Sequence, residues 1–397
     1  MDNAEILNEN WDTLTSFFPE GWTKMGRESG AITRLRDFKS EEQLMRTLLI
    51  HVANGYSLRE SVVVAKAAGI ADVSDVALLK RLRSSLPWFE QLCGILLRES
   101  QLDLSQAHKG YCMRLVDSTL VKEPGKTGSQ WRIHYSIALP SLKCDSFKIT
   151  ATRGKGSAET LKQYSINEGD CILGDRGFSH ATGFAHVRNN KGHLIVRVNS
   201  GSMLLFTPKA GKSLNLLAKL KRLDCSGRTG EWAVIFKGSD GIAVRGRICG
   251  VRKSEQAIAL AHKKLQRDAV RKQKTINPQT YEYAKYVIVF TTLPEEKFST
   301  SEILEWYRAR WQIELVFKRL KSLAQMGHLP KHDEQASRAW LYGKLFIALI
   351  AEKIIRHAND FSPWGYDLEI FKASEQLEGV RFDPSSGDPC SGSSVVA

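Results

Sequence analysis

Two short apolar runs, each followed directly by an aspartate, constrain the fold of this chain more than any other feature. Asp117 closes the run Met-Arg-Leu-Val, and Asp175 closes the run Cys-Ile-Leu-Gly. Runs of this length and composition predict buried strands. Two aspartates at the ends of adjacent buried strands would repel each other unless a cation lay between them. Taken alone, each aspartate also fits a turn at the end of a strand.

The order of the predicted elements around these runs indicates an α/β fold. Strands are predicted over 113–117, 132–139, 146–150, 171–175 and 193–198, with helices near 157 and over 179–188. Three strands, a helix, a strand, a helix and a strand is the order of a ribonuclease H-like mixed sheet with flanking helices. An apolar strand at 286–292 returns to this core, so we expect the core to comprise 109–198 and 286–325.

The remaining segments are expected to surround that core. Residues 1–108 predict a helical domain, and residues 199–285 predict a β-rich insertion because they are too many for a plain connection. Helices are expected over 326–379. The polar end at 380–397, rich in Pro, Gly and Ser, predicts a disordered tail.

The N-terminal region contains two predicted helices separated by a glycine. The first ends at Gly69 and the second begins near Asp75, with Lys80, Arg81 and Arg83 along it. This order is the outline of a helix-turn-helix, which would place those three cations on DNA. Any small helical bundle shows the same pattern, so the sequence leaves the DNA-reading role open.

A single long helix is predicted from about residue 301 to residue 323. At roughly 100° per residue, one stripe about 60° wide carries four polar side chains, Tyr307, Arg310, Glu314 and Lys321. The opposite side is apolar and is expected to pack on the sheet through Ala309, Ile313, Val316, Leu320 and Leu323. A solvated helix decorated with ion pairs would show similar spacings.

Glu314 on that helix would complete a set of three carboxylates with Asp117 and Asp175. Mg²⁺ prefers oxygen ligands and is held through a few carboxylates together with phosphate oxygens. Two such ions activate water or a 3′-hydroxyl and stabilise the leaving oxygen of an in-line phosphoryl displacement. The three residues are therefore the candidate catalytic metal ligands.

The charge of the chain favours a polyanionic partner. The formal net charge is +14, with Lys and Arg spread along the chain, although a merely basic soluble enzyme would share this excess. None of the seven cysteines forms a C-x-x-C pair, which fits a reducing cytoplasm and offers no zinc site. The most apolar run, 345–351, is too short to span a membrane, and the acidic N-terminus predicts no signal peptide.

At this point the chain resembles a known family. The spacing Tyr307-x2-Arg310-x3-Glu314-x6-Lys321 matches the Y-x2-R-x3-E-x6-K signature of bacterial insertion-sequence transposases of the type-four group. The sequences Val-Asp-Ser-Thr around Asp117 and Gly-Asp-Arg-Gly-Phe around Asp175 resemble the two aspartate motifs of that family. The resemblance covers roughly residues 40–360.

The resemblance implies a DDE transposase that binds the inverted-repeat ends of an insertion sequence, cleaves them and joins the 3′ ends to target DNA by cut-and-paste. It implies two Mg²⁺ ions, or Mn²⁺, per active site, and a homodimer in a synaptic complex on double-stranded DNA. The expected location is the bacterial cytoplasm, in association with the nucleoid. Tyr307, Arg310 and Lys321 would hold DNA phosphates beside the cut, with Lys318 and Arg176 as further DNA contacts.

Two other functions are compatible with parts of this pattern. A ribonuclease H-like nuclease or resolvase would cut without joining, but the helix signature and the long insertion argue against it. A domesticated DNA-binding protein would retain the fold without activity, but all three acids are present. Cleavage through a DNA hairpin stays open: Trp232 and Tyr286 are candidates to hold a flipped base, and each also fits a core position.

Overall fold

A computed structural model describes residues 10–34, 38–99, 108–122, 130–152, 159–198, 204–238, 241–322, 326, 329 and 333–360. The strands are β1 (Cys112–Lys122), β2 (Gln130–Ala138), β3 (Cys144–Ala151), β4 (Asp170–Gly174), β5 (His193–Arg197), β6 (Leu204–Phe206), β7 (Thr229–Lys237), β8 (Ala243–Arg252) and β9 (Tyr286–Thr291). The helices are α1 (Trp11–Thr15), α2 (Trp22–Glu28), α3 (Glu41–Asn54), α4 (Leu58–Ala67), α5 (Asp75–Ser84), α6 (Leu86–Glu99), α7 (Ala181–Asn189), α8 (Leu216–Leu220), α9 (Glu255–Lys272), α10 (Pro278–Ala284), α11 (Thr300–Arg308), α12 (Trp311–Ser322) and α13 (Glu334–Asp360).

The strands form one nine-stranded mixed sheet in the order β3-β2-β1-β4-β5-β9-β8-β7-β6. β2 and β3 are antiparallel, whereas β4 runs parallel to β1 and β5 runs parallel to β4. The first five strands therefore have the order of a ribonuclease H-like sheet, and the predicted fold class is confirmed. The helix predicted near 157 falls at 153–158, outside the described residues, and a short 3₁₀ turn follows at Leu161–Gln163.

The chain divides into two compact units. The first comprises Met1–Ser105, Val116–Ala158 and Gln312–Trp364, and the second comprises Gln106–Leu115, Glu159–Trp311 and Gly365–Ala397. β1 contributes its first four residues to the second unit and the rest to the first. The sequence predicted a core of two segments, 109–198 and 286–325, with the other domains each continuous, whereas these two units are each assembled from three separate segments.

The first unit is built around a helical core. α13 packs against α3, α5 and α6. An aromatic cluster of Phe18, Trp22, Trp88 and Phe346 fills the centre, and the Trp88 indole nitrogen donates a hydrogen bond to the Trp22 carbonyl at 2.8 Å. Within the same unit, Phe317 of α12 lies with its ring centroid 6.0 Å from that of Tyr135 in β2.

The second unit holds the remaining strands and the helices that cover them. Phe184 of α7 stacks on Phe290 of β9 with ring centroids 5.0 Å apart, and Phe236 of β7 packs against both rings. A Cβ atom at Gly246 of β8 would clash with the Phe290 ring and the Thr291 carbonyl oxygen. Glycine is therefore required where β8 passes β9.

The prediction of one continuous helix over 301–323 is wrong. α11 ends at Arg308 and α12 begins at Trp311. The amides of Ala309 and Arg310 donate to the carbonyls three residues earlier, at 3.1 Å each, so the last turn of α11 tightens and stops. The 100° rule does not carry across this break, so helix geometry no longer predicts that Tyr307 and Arg310 share a stripe with Glu314 and Lys321.

Within the segment 199–285 the structure describes three strands, β6, β7 and β8, which extend the main sheet through the pairing of β8 with β9, and three helices, α8, α9 and α10. The last part of this segment before β9 contains the basic helix α9. Residues 361–397, which include the predicted tail, lie outside the described residues. Among the helices that the structure describes, none is both long and apolar enough to cross a membrane.

Candidate active site

The pairing of β1 with β4 sets the position of the two aspartates along their strands. The parallel register pairs Cys112 with Asp170 and Leu115 with Leu173. Asp117 and Asp175 each stand two residues beyond that last pair. Counted from the last paired residues, Leu115 and Leu173, the two aspartates are therefore at the same distance along the chain.

A buried ion pair at the start of these strands fixes that register. Arg114 of β1 donates to the Asp170 carboxylate at 2.7 Å, and both side chains are about 95% buried. The same Arg114 nitrogen donates to the Ser165 carbonyl at 2.7 Å, and the Asp170 carboxylate also accepts from the Asn167 amide at 2.9 Å. A shift of one residue between the strands would leave both charges buried without partners.

Asp117 is half-buried within β1, and its carboxylate accepts a hydrogen bond from the Ser118 amide at 2.7 Å. Asp175 is half-buried directly after β4 and caps the 3₁₀ turn Arg176–Phe178 by accepting from the Gly177 amide at 2.7 Å. Asp175 thus follows its strand directly, as predicted. The prediction that Asp117 ends its strand is wrong, because β1 continues five residues beyond it to Lys122 and pairs with its neighbours over a longer stretch than the apolar run indicated.

The glycines of the Gly-Asp-Arg-Gly-Phe motif have a steric role. A Cβ atom at Gly174 would lie 3.1 Å from the Phe178 ring. A Cβ atom at Gly177 would lie 3.0 Å from a carboxylate oxygen of Asp175 and 3.0 Å from one of Glu159. Glu159 therefore lies beside the Asp175 turn, and sequence reasoning missed it because no motif surrounds it.

Tyr307 lies in a basic environment in the second unit. Its side chain is buried at 7% exposure, and its hydroxyl has no hydrogen-bond partner among the residues that the structure describes. The Arg310 guanidinium carbon lies 6.0 Å from the centre of the Tyr307 ring. Burial raises the pKa of Tyr307, while the charges of Arg310, Arg197 and Arg176 act to lower it and that of Asp175 acts to raise it.

Arg197 and Lys253 belong to this environment and were missed by sequence reasoning. Arg197 ends β5, and Lys253 directly follows β8, with its ammonium group donating to the Ala284 carbonyl at 2.7 Å. Burial, together with the charges of Arg197 and Arg176, lowers the pKa of Lys253 to about 8. These residues are distant in sequence, so only the strand order β5-β9-β8 brings them near one another.

We call Arg176, Arg197, Lys253, Tyr307 and Arg310 the basic cluster. Burial and the Arg197 charge lower the pKa of Arg176, while Tyr307 and Asp175 act to raise it. Mutual repulsion among the cations and an unused buried hydroxyl both favour an incoming anion that accepts hydrogen bonds. A phosphate has that chemistry, and the predicted roles of Tyr307, Arg310 and Arg176 agree with it.

Glu314, Lys318 and Lys321 lie on the exposed face of α12 in the first unit, opposite buried Ile313, Phe317 and Leu320. The predicted division of this helix into a polar and an apolar face is therefore confirmed for α12 alone. Among the described residues, no three His, Cys, Asp or Glu side chains are grouped so that they could hold a metal ion. Asp117 and Glu314 belong to the first unit, and Asp175 belongs to the second.

The predicted cations of α5 have different environments. Lys80 is exposed. Arg81 donates to the carbonyls of Ala31 and Arg34 at 3.4 and 3.0 Å. Arg83 pairs with Asp333 at 3.0 Å. Two of the three thus hold the first unit together, which leaves Lys80 the most accessible to a ligand.

The two aromatic candidates for a flipped base lie in packed positions. Tyr286 is 3% exposed in β9. Trp232 of β7 is half-buried and lies over two glycines, since a Cβ atom would come within 2.7 Å of its ring at Gly230 and 3.4 Å at Gly250. Both environments favour the core interpretation.

Comparison with known proteins identifies the family. The model of the family described as "Transposase DDE domain" matches residues 108–350, more than half of the chain. The chain belongs to the DDE transposase family. As a DDE transposase it is a metal-dependent enzyme that acts on DNA, and the carboxylate oxygens of Asp117, Asp175 and Glu314 are the donors that hard divalent cations prefer.

Two curated relatives from Escherichia coli match the transposase over nearly its whole length. The InsL protein of insertion sequence element IS186A is 31% identical over 366 residues, which cover 90% of this chain and 96% of the relative. The transposase of insertion sequence element IS421 is 30% identical over 367 residues, with the same coverage. These matches extend beyond the DDE domain on either side.

Proposed function

We propose that this transposase moves a bacterial insertion sequence of the type-four group by cut-and-paste. It would bind the inverted-repeat ends as a homodimer, cleave them and join the 3′ ends to target DNA. The names of the relatives, which belong to insertion sequence elements, support this proposal. The four spaced residues Tyr307, Arg310, Glu314 and Lys321 support the type-four group. The bacterial relatives also make the bacterial cytoplasm, at the nucleoid, the proposed location.

The observation that carries the proposal is the basic cluster beside Asp175. A buried hydroxyl without a partner costs about 1–3 kcal/mol, so its retention at Tyr307 indicates a ligand that accepts a hydrogen bond there. The positive charges of Arg310, Arg197 and Arg176 all act to lower the pKa of the Tyr307 phenol, so the electrostatic field at this hydroxyl favours an anion. A DNA phosphate held at this position would lie next to the aspartate that the catalytic reaction needs.

In this proposal Asp117, Asp175 and Glu314 hold two Mg²⁺ ions, for which Mn²⁺ can substitute. When bound, the ions would polarise the scissile phosphate and lower the pKa of the attacking water or 3′-hydroxyl. The hydrogen bonds that Ser118 and Gly177 donate orient the two aspartates through the backbone.

The cations serve to hold and orient DNA. Tyr307, Arg310 and Arg176 would hold phosphates at the basic cluster, and Lys318 and Lys321 would do so from the exposed face of α12. Each contact of this kind positions the backbone without reading sequence.

The domain boundaries predicted from the sequence suggest roles for the other parts of the chain. Residues 1–108 would bind the transposon ends, with Lys80 at the DNA and Arg81 and Arg83 supporting α5 from within the unit. The core of 109–198 and 286–325 would carry the chemistry, with 199–285 as its insertion and 326–379 as supporting helices.

The test uses the full-length protein, a linear DNA carrying the element's own two ends, and a supercoiled target plasmid. With Mg²⁺, the proposal predicts cleavage at both ends followed by covalent joining to the plasmid, seen on denaturing and native gels. The same DNA with scrambled ends is the control, and it should give neither product.

The other two functions give different results in the same assay. Cleavage of the ends without any joined product would identify a nuclease or resolvase. Specific binding of the ends without cleavage, in either Mg²⁺ or Mn²⁺, would identify a domesticated DNA-binding protein. Either result would overturn the proposal.

A further inference from the structure

α9 is a long helix with one narrow attachment to the second unit. Ile258 is its one fully buried residue. The Nε2–H of His262 donates a hydrogen bond to the Tyr281 carbonyl of α10 at 3.0 Å, and its ring lies against the Tyr281 ring. The connection from β8 to α9 is also held to the unit, because the Lys253 amide donates a hydrogen bond to the Lys285 carbonyl at 2.9 Å. The helix is therefore held along one side and open to solvent along the other.

The open side is strongly basic. At roughly 100° per residue, Lys263, Arg267, Arg271 and Lys264 fall at about 140°, 180°, 220° and 240° from Ile258. All four are exposed. We call these four residues the α9 basic face, since they cover the side directly opposite the attachment.

The α9 basic face is poorly neutralised by the protein. Arg271 pairs with Asp268 at 3.0 Å. Lys263, Lys264 and Arg267 form no ion pair with any residue that the structure describes. Arg228 and Arg308, two exposed cations elsewhere in the second unit, each have a carboxylate within four residues, whereas three neighbouring cations on one helix face here have none among the described residues. A row of exposed cations without carboxylate partners attracts a polyanion, and the repulsion between the cations is unfavourable when no polyanion is bound.

The geometry of the row suits the backbone of a duplex. Lys263, Arg267 and Arg271 are spaced one turn apart, so they cover about 12 Å of helix axis. One DNA strand carries a phosphate about every 3.4 Å of duplex axis, so the row spans about three or four phosphates. The exposed apolar side chains of α9, Leu260 and Val270, are ten positions apart and form no continuous strip for a membrane.

We propose that the α9 basic face binds the phosphate backbone of duplex DNA, independently of the basic cluster and without reading base sequence. The inference rests on the proposed function, because it gives a transposase a second DNA surface for flanking or target DNA. Lysine and arginine on an exposed helix supply affinity that depends on salt, since each phosphate contact releases counterions.

The test compares two triple variants of the full-length protein. Lys263→Gln/Lys264→Gln/Arg267→Gln removes three charges from the α9 basic face. The control Lys209→Gln/Lys212→Gln/Arg222→Gln removes three exposed charges from another part of the same unit that form no ion pair with described residues. Glutamine is a good helix former, so the folded state should be retained in both, as checked by circular dichroism.

The readout is the affinity for a random-sequence duplex as a function of salt. The logarithmic slope should become shallower by about 2–3 for the α9 variant, because each lost phosphate contact removes about 0.9, and by less than about 1 for the control. The charge-conserving Lys263→Arg/Lys264→Arg/Arg267→Lys variant should restore the wild-type slope. Equal slopes for the α9 variant and the control would overturn the inference.

The two proposals fail in distinguishable ways. A wild-type protein that shows the α9-dependent slope yet cleaves no transposon ends would overturn the proposed function alone. A wild-type protein that cleaves and joins its ends, with an α9 variant whose slope matches the control, would overturn the α9 proposal alone. Binding of the wild type to anionic lipid vesicles that is lost in the α9 variant, with DNA slopes unchanged, would assign the face to a membrane and overturn it as well.

Discussion

Replacing Asp170 by Asn should strongly destabilise the protein. The side chain would keep an oxygen for the Asn167 amide but lose the charge that neutralises buried Arg114. Removing one partner of a buried ion pair costs about 3–5 kcal/mol. The Ser165 carbonyl still accepts from Arg114, so we expect the lower end of that range, about 3 kcal/mol.

The assay is urea unfolding followed by tryptophan fluorescence, with free energies from linear extrapolation. The double replacement Arg114→Met/Asp170→Leu should recover most of the loss, because two apolar side chains of similar size leave no buried charge. Glu168→Gln is the matched control: its pair with Lys191 lies at the same end of β4 but is about 70% exposed, so no measurable change is expected.

A loss below about 1 kcal/mol for Asp170→Asn would refute the reasoning, since the register of β1 and β4 would then not depend on the pair. A double variant as unstable as the sum of both single variants would refute it too. In either case the register that pairs Leu115 of β1 with Leu173 of β4 would need another cause.

Three further outcomes are expected. Tyr307→Phe should leave the free protein as stable or about 1 kcal/mol more stable, because it removes an unsatisfied buried hydroxyl, yet weaken DNA cleavage; loss of stability in urea would contradict this. Gly177→Ala should reduce cleavage at least about tenfold with DNA binding retained, because its Cβ atom would displace the Asp175 carboxylate; unchanged single-turnover rates would contradict this. Burial lowers the pKa of Lys344 to about 8, so between that pH and the ordinary lysine range the unfolded chain holds a proton at Lys344 that the folded chain has lost, and the contribution of Lys344 to stability should rise with pH there. The stability of wild type minus that of Lys344→Met, from urea midpoints, should therefore be larger at pH 10 than at pH 8, and an equal difference at both pH values would contradict the assignment.

Local patterns in the sequence were enough to predict most of the sheet. β4 lies within one residue of the predicted strand, because its residues after the ion-paired Asp170 form an unbroken apolar run, as expected for a strand buried on both faces. The capping box, in which Ser299 is the N-cap residue, marks the start of α11. The order of the predicted strands and helices along the chain was enough to predict a ribonuclease H-like order for the first five strands of the sheet.

The break between α11 and α12 could not be predicted from local signals. Ala309 and Arg310 are both good helix formers, and no Gly or Pro stands between the two helices. The break arises from tertiary packing, since Ala309 and Tyr307 are both buried while Trp311 is half exposed. Helix propensity is a weak preference that such packing overrides.

The basic cluster was predictable only in part for a similar reason. Tyr307, Arg310 and Arg176 belong to recognisable motifs, but Arg197 and Lys253 stand at the ends of strands with no distinctive neighbours. Their proximity depends on the placement of β9 between β5 and β8, which joins segments far apart along the chain. Only the topology supplies that information.

The central claim is that Asp117, Asp175 and Glu314 form the catalytic metal site. The most direct measurement is the single-turnover rate of end cleavage in Mg²⁺ for Asp117→Asn, Asp175→Asn and Glu314→Gln, with DNA affinity measured separately in Ca²⁺. Glu305→Gln, an exposed glutamate on α11, is the control. We predict at least a thousandfold loss of cleavage in each of the three variants, about 4 kcal/mol, with affinity within a few-fold of wild type and full activity in the control. Cleavage at the wild-type rate by any one of the three would contradict the assignment of that residue.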